Sequence, residues 1–433
     1  MQKLSWTCRG IALLATGLCA ADKPTFYRDV QPILEKRCVG CHRPGEAAPM
    51  SLVSYREVRP YAAAIRQSVA QRRMPPWNAD PHVGKFANDR SLSETEIETL
   101  AAWAGTGAAA GNPKDANGVK RKFQEGWSIG SPDLVIGMTE PFAVPATGTI
   151  DYHYVIIPTG FSADRWVEAV EVRPLNRAVN HHIIAFVREP GSRWLAGAET
   201  GKPFVPNQGS EAGATGFLAA YAPGTAPDQL RPGQARRIPA GSDIVFQLHW
   251  TANGKPALDQ AKLGLIFAKQ TPREEIITLQ AMNSRFEIPA GAENHRVDAR
   301  VTLRTEATLE LLAPHMHLRG KAFAMQVKLP DGELREILRV PRYDFNWQLS
   351  YVLSEPMRLP VGSQVLATGW FDNSANNKNN PDPSKAVRWG DQSWEEMMIG
   401  FFNVSVPVGK TYMDLMRPKQ KQAAGPSSAG GLE

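Results

Sequence analysis

Two cysteines and a histidine near the start of the chain have the spacing that attaches a haem covalently. Cys38, Cys41 and His42 form a Cys-x-x-Cys-His motif. Two thiols one helical turn apart can bond both vinyl groups of one porphyrin, and the adjacent imidazole can bind the iron. A thioredoxin-like redox pair would not need His42, and a zinc site would need a second cysteine pair. The motif therefore predicts one covalent haem c and electron-transfer chemistry.

We expect a methionine as the second axial ligand of that iron. Met74 lies in a loop held by Pro75 and Pro76, a usual setting for such a ligand. Met50 follows the haem motif closely and is better explained as a packed apolar residue, and His82 is a further alternative. The predicted haem-binding set is Cys38, Cys41, His42 and Met74.

Five further histidines lie in compact motifs within or beside apolar runs. They are His181, His182, His249, His315 and His317. Burying imidazoles without partners is costly, whereas metal coordination satisfies them. Nitrogen and thioether ligands suit copper, with structural zinc as the alternative. His315 and His317 point the same way on a strand, but His181 and His182 need a bulge or loop to bind one ion together.

The segment that carries the haem motif, residues 22–111, has a helical pattern. Ile33 and Leu34 share a helical face ahead of the motif. Ser93 and Glu96 form a capping box before another helical run. We therefore expect a small all-α cytochrome c domain here.

After a linker at 112–126, the pattern changes to short runs rich in Val, Ile, Phe and Tyr, separated by turn residues. This stretch is too long for one sandwich of roughly 100 residues. We expect two antiparallel β-sandwich domains, at 127–270 and 271–412, and a disordered tail at 413–433. The predicted fold class is thus multidomain, an all-α domain followed by two sandwiches.

Two of the predicted strands place histidines on a defined face. In residues 244–250, His249 shares its face with Gln247, away from Trp250. In residues 307–318, the predicted common face carries Leu309, Leu311, Ala313, His315 and His317.

The first 21 residues have the features of an export signal. Lys3 and Arg9 supply positive charge, and the apolar run 11–18 is too short to span a bilayer. A retained membrane anchor and a lipoprotein at Cys19 are the alternatives. We expect signal removal and a periplasmic or secreted protein, with no stable membrane span. The net charge of +6 is too small and scattered to indicate a nucleic-acid partner.

The order and intervals of the histidine motifs resemble those of the copper type II, ascorbate-dependent monooxygenases. This is the family of the peptidylglycine alpha-hydroxylating and dopamine beta-monooxygenases. The matching motifs, across about residues 127–410, are His181-His182, Gln247-Leu248-His249, His315-Met316-His317 and Glu395-Glu396-Met397.

The resemblance implies two jelly-roll-like sandwiches and two mononuclear copper ions. The electron-transfer copper would be held by His181, His182 and His249. The oxygen-binding copper would be held by His315, His317 and Met397, with Met398 and Met357 as rivals of Met397. No catalytic residue beyond these copper ligands is implied.

The chain departs from the peptide-hydroxylating enzyme at two substrate-binding positions, and the disulfides of the animal enzymes are absent. Ala313 stands in place of an arginine and Phe401 in place of a tyrosine, so we expect a less polar small substrate than a peptide glycine. The expected function is copper-dependent hydroxylation of a C–H bond with O2, the haem domain relaying electrons from an external donor. The alternative is a haem/copper electron-transfer or copper-binding protein without oxygenase chemistry.

Overall fold

Strands make up most of the regular structure in the computed structural model, which describes residues 22–46, 48–116, 126–207, 216–223, 225, 227 and 230–416. The predicted signal (1–21) lies outside the described residues, as do residues 117–125 of the predicted linker. No helix in the described ranges is long and apolar enough to cross a membrane.

The segment with the haem motif is helical. Its helices are a π-helix at Phe26–Val30, α1 at Gln31–Arg37, α2 at Tyr55–Val58, a 3-10 turn at Arg59–Tyr61, α3 at Ala62–Ala70, α4 at Glu94–Gly105 and a 3-10 turn at Pro113–Asp115. The predicted capping box begins α4. The Ser93 hydroxyl accepts the Glu96 N–H at 3.1 Å, and the Glu96 carboxylate accepts the Ser93 N–H at 2.8 Å. Phe26, Leu34 and Trp103 are buried in the core of this segment.

A first group of strands packs around its own apolar core. Their bounds are β1 Leu134–Gly137, β2 Phe142–Val144, β3 His153–Pro158, β4 Arg165–Pro174, β5 Asn180–Arg188, β6 Phe217–Tyr221, β7 Gln234–Ile238, β8 Asp243–Trp250, β9 Ala257–Asp259 and β10 Ala261–Phe267. A four-stranded sheet in the order β3-β8-β5-β6 faces β1, β10, β4 and β7. Val167 and Leu263 of one sheet pack with Phe246 and Leu248 of the other.

A second group of strands repeats this arrangement. Their bounds are β11 Glu274–Met282, β12 Glu287–Ile288, β13 His295–Thr302, β14 Ala307–Met316, β15 Gly320–Lys328, β16 Leu334–Val340, β17 Tyr351–Leu359, β18 Gln364–Phe371, β19 Val387–Arg388 and β20 Met398–Pro407. The sheet β13-β18-β15-β16 faces β11, β20, β14 and β17. Leu279, Phe323, Phe371 and Phe402 lie in the core between them.

One sheet joins the two groups. Strands β7 and β11 pair in parallel, with Gln234 opposite Glu274 and Ala235 opposite Glu275. This pair completes an eight-stranded sheet in the order β1-β10-β4-β7-β11-β20-β14-β17. The mostly-β composition and facing sheets are consistent with the predicted β-sandwich domains. Strand β14 lies in the shared sheet, whereas β5 and β8 lie in the four-stranded sheet of the first group.

Part of the N-terminal segment packs on the second group of strands. Trp77 belongs to its apolar core, and its ring lies 4.8 Å from that of Tyr351. Phe86 forms a β-bridge with Leu353, and the Asp80 N–H donates to the carbonyl of Arg339 at 2.8 Å. The chain between α3 and α4 therefore ties the helices to β16 and β17.

Strand β14 differs from its predicted pattern at one point. A bulge between Leu309 and Leu311 puts Leu309 in the apolar core, whereas Leu311 lines a cavity with Ala313 and His315. The prediction that Leu309 shares the histidine face was wrong, because an extra residue reverses the alternation of a strand.

The ordered chain extends beyond residue 412, where the tail was expected to begin. Helix α5 spans Tyr412–Met416, and its Leu415 is fully buried. The Leu415 carbonyl accepts the Arg304 N–H at 2.8 Å. Residues 413–416 therefore belong to the fold, and 417–433 lie outside the described residues.

Candidate metal centres

Strands β5 and β8 bring the first three histidines together. His182 lies opposite His249, and the register shifts between Asn180 and His182, so that His181 is the extra residue of a bulge. This is the irregularity that the His-His pair required. The nitrogen atoms that these three side chains offer lie within 4.8 Å of one another. We call His181, His182 and His249 the first cluster.

A buried carboxylate holds the backbone around the first cluster. Asp259 is completely buried, and its Oδ2 accepts hydrogen bonds from Asn180 Nδ2 and Trp250 Nε1, each at 2.7 Å. Its Oδ1 accepts the N–H of Asn176 at 2.7 Å. Asn180 and Trp250 are the sequence neighbours of His181 and His249. Asp259 therefore holds both strands in place next to the first cluster.

Strand β14 carries the second pair of histidines at its end. The rings of His315 and His317 are 5.2 Å apart. His315 Nδ1 donates to Gln348 Oε1 at 2.6 Å, and His317 Nδ1 donates to the carbonyl of Glu395 at 3.4 Å. Each ring thus uses Nδ1 within the protein, so Nε2 is the nitrogen that could bind a metal.

The strand register distinguishes the candidate methionines. Met316 of β14 lies opposite Met398 of β20, and both pack in the apolar core. Met357 packs against that same core. Met397 is buried but lies outside that core. Successive residues of a strand point to opposite faces, so Met397 is expected on the face opposite Met398. His315 lies on the same face as this expected position of Met397. We call His315, His317 and Met397 the second cluster.

Glu396 holds the backbone next to the second cluster through hydrogen bonds. Its carboxylate accepts the N–H of His317 at 2.9 Å and that of Arg319 at 2.6 Å. Arg319 in turn donates to Asn373 Oδ1 and to the Trp394 carbonyl. Complete burial raises the pKa of Glu396 to about 8, opposed by these donors. The residue before Met397 is therefore tied to the backbone that carries His317.

All five imidazoles are uncharged at neutral pH. Burial lowers the pKa of His181 and of His315 to about 4. Burial also holds the pKa of His182, His249 and His317 well below the usual value, and neighbouring imidazoles add to the effect. Neutral imidazole is the form that binds metals.

Several of these buried nitrogens have no partner within the described ranges. They are His181 Nε2, His249 Nδ1 and His317 Nε2. His181 and His182 also turn their Nδ1 atoms toward each other at 3.2 Å. Buried polar atoms are normally hydrogen-bonded, so unused nitrogens at the centre of two clusters fit a bound cation.

A small cavity of about 110 Å³ touches both clusters. His182 and His315 line it together with Ala313 and Phe401, the two positions that depart from the peptide-hydroxylating pattern. Leu311, Phe217 and Ile184 add apolar walls, and Thr278, Asn403 and Tyr221 add polar groups. Its described lining contains no Asp, Glu, Lys or Arg side chain.

The haem motif forms a tight turn after α1. The N–H groups of Cys41 and His42 both donate to the Cys38 carbonyl, at 3.0 and 2.9 Å, and both thiols are free. His42 Nδ1 donates to the carbonyl of Met50 at 3.3 Å, so Nε2 is the nitrogen that could bind an iron. Burial raises the pKa of Cys38 to about 12 and also raises that of Cys41.

The structure does not bring Met74 to the cavity beside the haem motif. Cys41 lines a cavity of about 640 Å³ with four arginines and three glutamates, namely Arg43, Arg90, Arg173, Arg177, Glu46, Glu168 and Glu171. Met74 lines two other cavities, one of which also contains His82. The Met50 side chain packs against the helical core. Met74 as the second axial ligand stays a prediction.

Sequence reasoning missed three residues that organise these centres. Gln348 and Phe345 lie in the loop between β16 and β17, and Asp259 ends β9. An Asn-Trp-Gln loop has no periodic pattern, and a carboxylate in a strand ordinarily indicates a solvent face. The burial of Asp259 between Trp250 and Asn180 follows from the tertiary fold alone.

Comparisons with known proteins give no functional assignment. No protein-family model and no curated protein matches the chain. It is similar to solved structures of the infectious bursal disease virus Gx strain, with 11% identity over 65% of this chain and 74% of that chain and a TM-score of 0.20. It is also similar to the major capsid protein P2 from bacteriophage PM2, with 9% identity over 64% of this chain and 99% of that chain and a TM-score of 0.25. TM-scores this low carry no argument about fold or function.

Proposed function

We propose that this chain is an exported oxidoreductase that binds one haem c and two copper ions and hydroxylates a C–H bond of a small organic molecule with O2. One observation carries the proposal: five uncharged imidazoles form two neighbouring clusters, three of them keep a buried nitrogen without a partner in the described structure, and His182 and His315 line one small apolar cavity. The resemblance of their motifs to the copper type II monooxygenases supports the same conclusion.

The donor atoms of the two clusters fit copper. The first cluster offers three imidazoles, and the second offers two imidazoles and the Met397 thioether. Thioether and imidazole nitrogen together favour copper over the oxygen-seeking cations, and zinc sites rarely use methionine. Copper held there would supply one-electron redox chemistry and the activation of O2.

The protein residues would position the substrate and exclude water. The cavity between His182 and His315 admits a small molecule next to both clusters, and its lack of charged side chains favours a neutral one. Phe401, Ala313 and Leu311 would contact the apolar part of that molecule. Gln348 and Glu396 would hold the second cluster in place while the small molecule binds. We propose no acid or base among these side chains.

The N-terminal segment would serve as the cytochrome c domain at 22–111, ahead of copper domains at 127–270 and 271–412. Cys38 and Cys41 would bond the porphyrin, and His42 would bind the iron through Nε2. The haem would supply a one-electron store. Arginines beside Cys41 suit the two propionates of such a group. An external donor would reduce the chain, whose predicted signal directs it to the periplasm or outside.

Oxygen uptake by the reduced, copper-loaded protein tests this function. We expect uptake that increases with a set of small neutral organic substrates, and ¹⁸O from labelled O2 in a hydroxylated product. His315→Ala should abolish both signals. His295→Ala, on β13 and outside both clusters, is the matched control and should keep them. Copper and haem that undergo redox without substrate-coupled uptake would indicate the electron-transfer alternative instead.

A further inference from the structure

One phenylalanine contacts the rings of both histidine clusters. Phe345 is 8% exposed. Its ring stacks on that of His181, with a centroid distance of 4.7 Å and an interplanar angle of 22°. It meets His317 edge-on at 6.0 Å and lies 6.5 Å from His249. The benzyl group therefore touches imidazoles that belong to different clusters.

The loop that carries Phe345 is fastened on both sides. The Tyr343 hydroxyl accepts the Met316 N–H at 3.0 Å and donates to the Met316 carbonyl at 2.8 Å, between His315 and His317. On the other side, Gln348 accepts the hydrogen bond of His315 and donates to the Phe345 carbonyl at 3.4 Å. These contacts fix the position of the phenyl ring relative to the second cluster.

The two clusters lie close together. His182 of the first cluster and His315 of the second line one cavity, and the Phe345 ring contacts His181 on one side and His317 on the other. Polar space between such groups would admit water or another small bridging ligand. A phenyl ring has no donor or acceptor that could bridge two cations, and it fills volume that a bridging ligand would need.

We propose that Phe345 is a positioning residue that keeps the two imidazole clusters apart as separate mononuclear metal sites. The inference rests on the proposed function in requiring that both clusters bind copper. Removing the benzyl group would open polar space between His181 and His317. A water-derived ligand could then bridge the two ions and couple their unpaired electrons.

Electron paramagnetic resonance of protein loaded with Cu(II) alone tests this role. In the unaltered chain, we expect two uncoupled Cu(II) signals that account for all bound copper. Phe345→Ala should still bind two ions but lose most of that signal to spin coupling. Phe345→Leu, which keeps apolar bulk, should restore the uncoupled spectrum. Phe401→Ala removes the same side chain beside His315, 6.1 Å from its ring, and should leave the two ions uncoupled.

The outcomes separate the two claims. Fewer than two copper ions in the unaltered chain would refute the proposed function itself. Two ions in Phe345→Ala with an unchanged spectrum, or coupled ions already in the unaltered chain, would overturn the role of Phe345 alone. Circular dichroism checks the fold of each variant, and Phe345→Val provides the same comparison if the alanine variant does not fold.

Discussion

Replacing Asp259 should weaken metal binding at the first cluster without changing any of its three histidines. In Asp259→Ala, the buried donors Asn180 Nδ2 and Trp250 Nε1 and the half-buried N–H of Asn176 all lose their acceptor. Two of these residues adjoin the cluster, on β5 and β8. We therefore expect both a less stable sheet edge and a looser metal site.

The magnitude follows from these three bonds. A hydrogen bond to a charged group contributes about 1.5–3 kcal/mol, and an orphaned buried donor costs about 1–3 kcal/mol. Because neighbouring bonds are not additive, we expect a loss of about 3–5 kcal/mol in Asp259→Ala. Asp259→Asn keeps the shape and the bond from Asn176 but disrupts the two at Oδ2, so its loss should be about half of that.

Two measurements check this prediction. Hydrogen exchange of the metal-free protein should show faster opening of β8 in Asp259→Ala. Competition with a copper chelator should show about 10–100-fold weaker binding at the first cluster, the usual effect of removing a residue that orients ligands. Asp298→Ala, which removes an exposed carboxylate on β13, is the control. Unchanged exchange in β8 together with unchanged copper affinity would refute the reasoning.

Three further predictions concern the other groups around these sites. Gln348→Leu removes the acceptor of His315 Nδ1 and should weaken copper binding at the second cluster about 10–100-fold, with the first cluster unchanged in the same chelator competition. Urea unfolding of the metal-free protein should show stability falling from pH 6.5 to 4, because the unfolded chain binds more protons there than the folded one. The shift to about 4 at His181 and His315 corresponds to roughly 3 kcal/mol each, and a flat profile would contradict it. Joint replacement of Cys38 and Cys41 by serine should abolish the haem-stained band on a denaturing gel while copper binding persists, and a remaining band would exclude thioether attachment.

Local sequence rules predicted much of the scaffold. The capping box at Ser93 begins α4, and the alternation of residues 244–250 places His249 away from Trp250. The adjacent pair His181-His182 required an irregular strand, and β5 has a bulge at that point. These features depend on near neighbours along one strand or helix, where periodicity and sterics suffice.

The missed features depend on contacts between distant segments. The parallel pair of β7 and β11 covers two residues on each strand, too short to leave a pattern. Trp77 packs in the second apolar core from a loop more than two hundred residues away in sequence. Met397 and Met398 could be distinguished only by the register of β20 with β14. Phe345 and Gln348 lie in a loop, where no periodicity indicates which side chains turn inward.

The copper content of the protein and its ligand variants tests the central claim most directly. After Cu(II) titration and removal of loose metal, elemental analysis should find two copper ions per chain. Joint replacement of His181 and His249 by alanine should leave one ion, as should joint replacement of His315 and His317, and the combined variant should retain none. Copper retention that does not respond to these replacements would contradict the assignment of the five imidazoles as metal ligands.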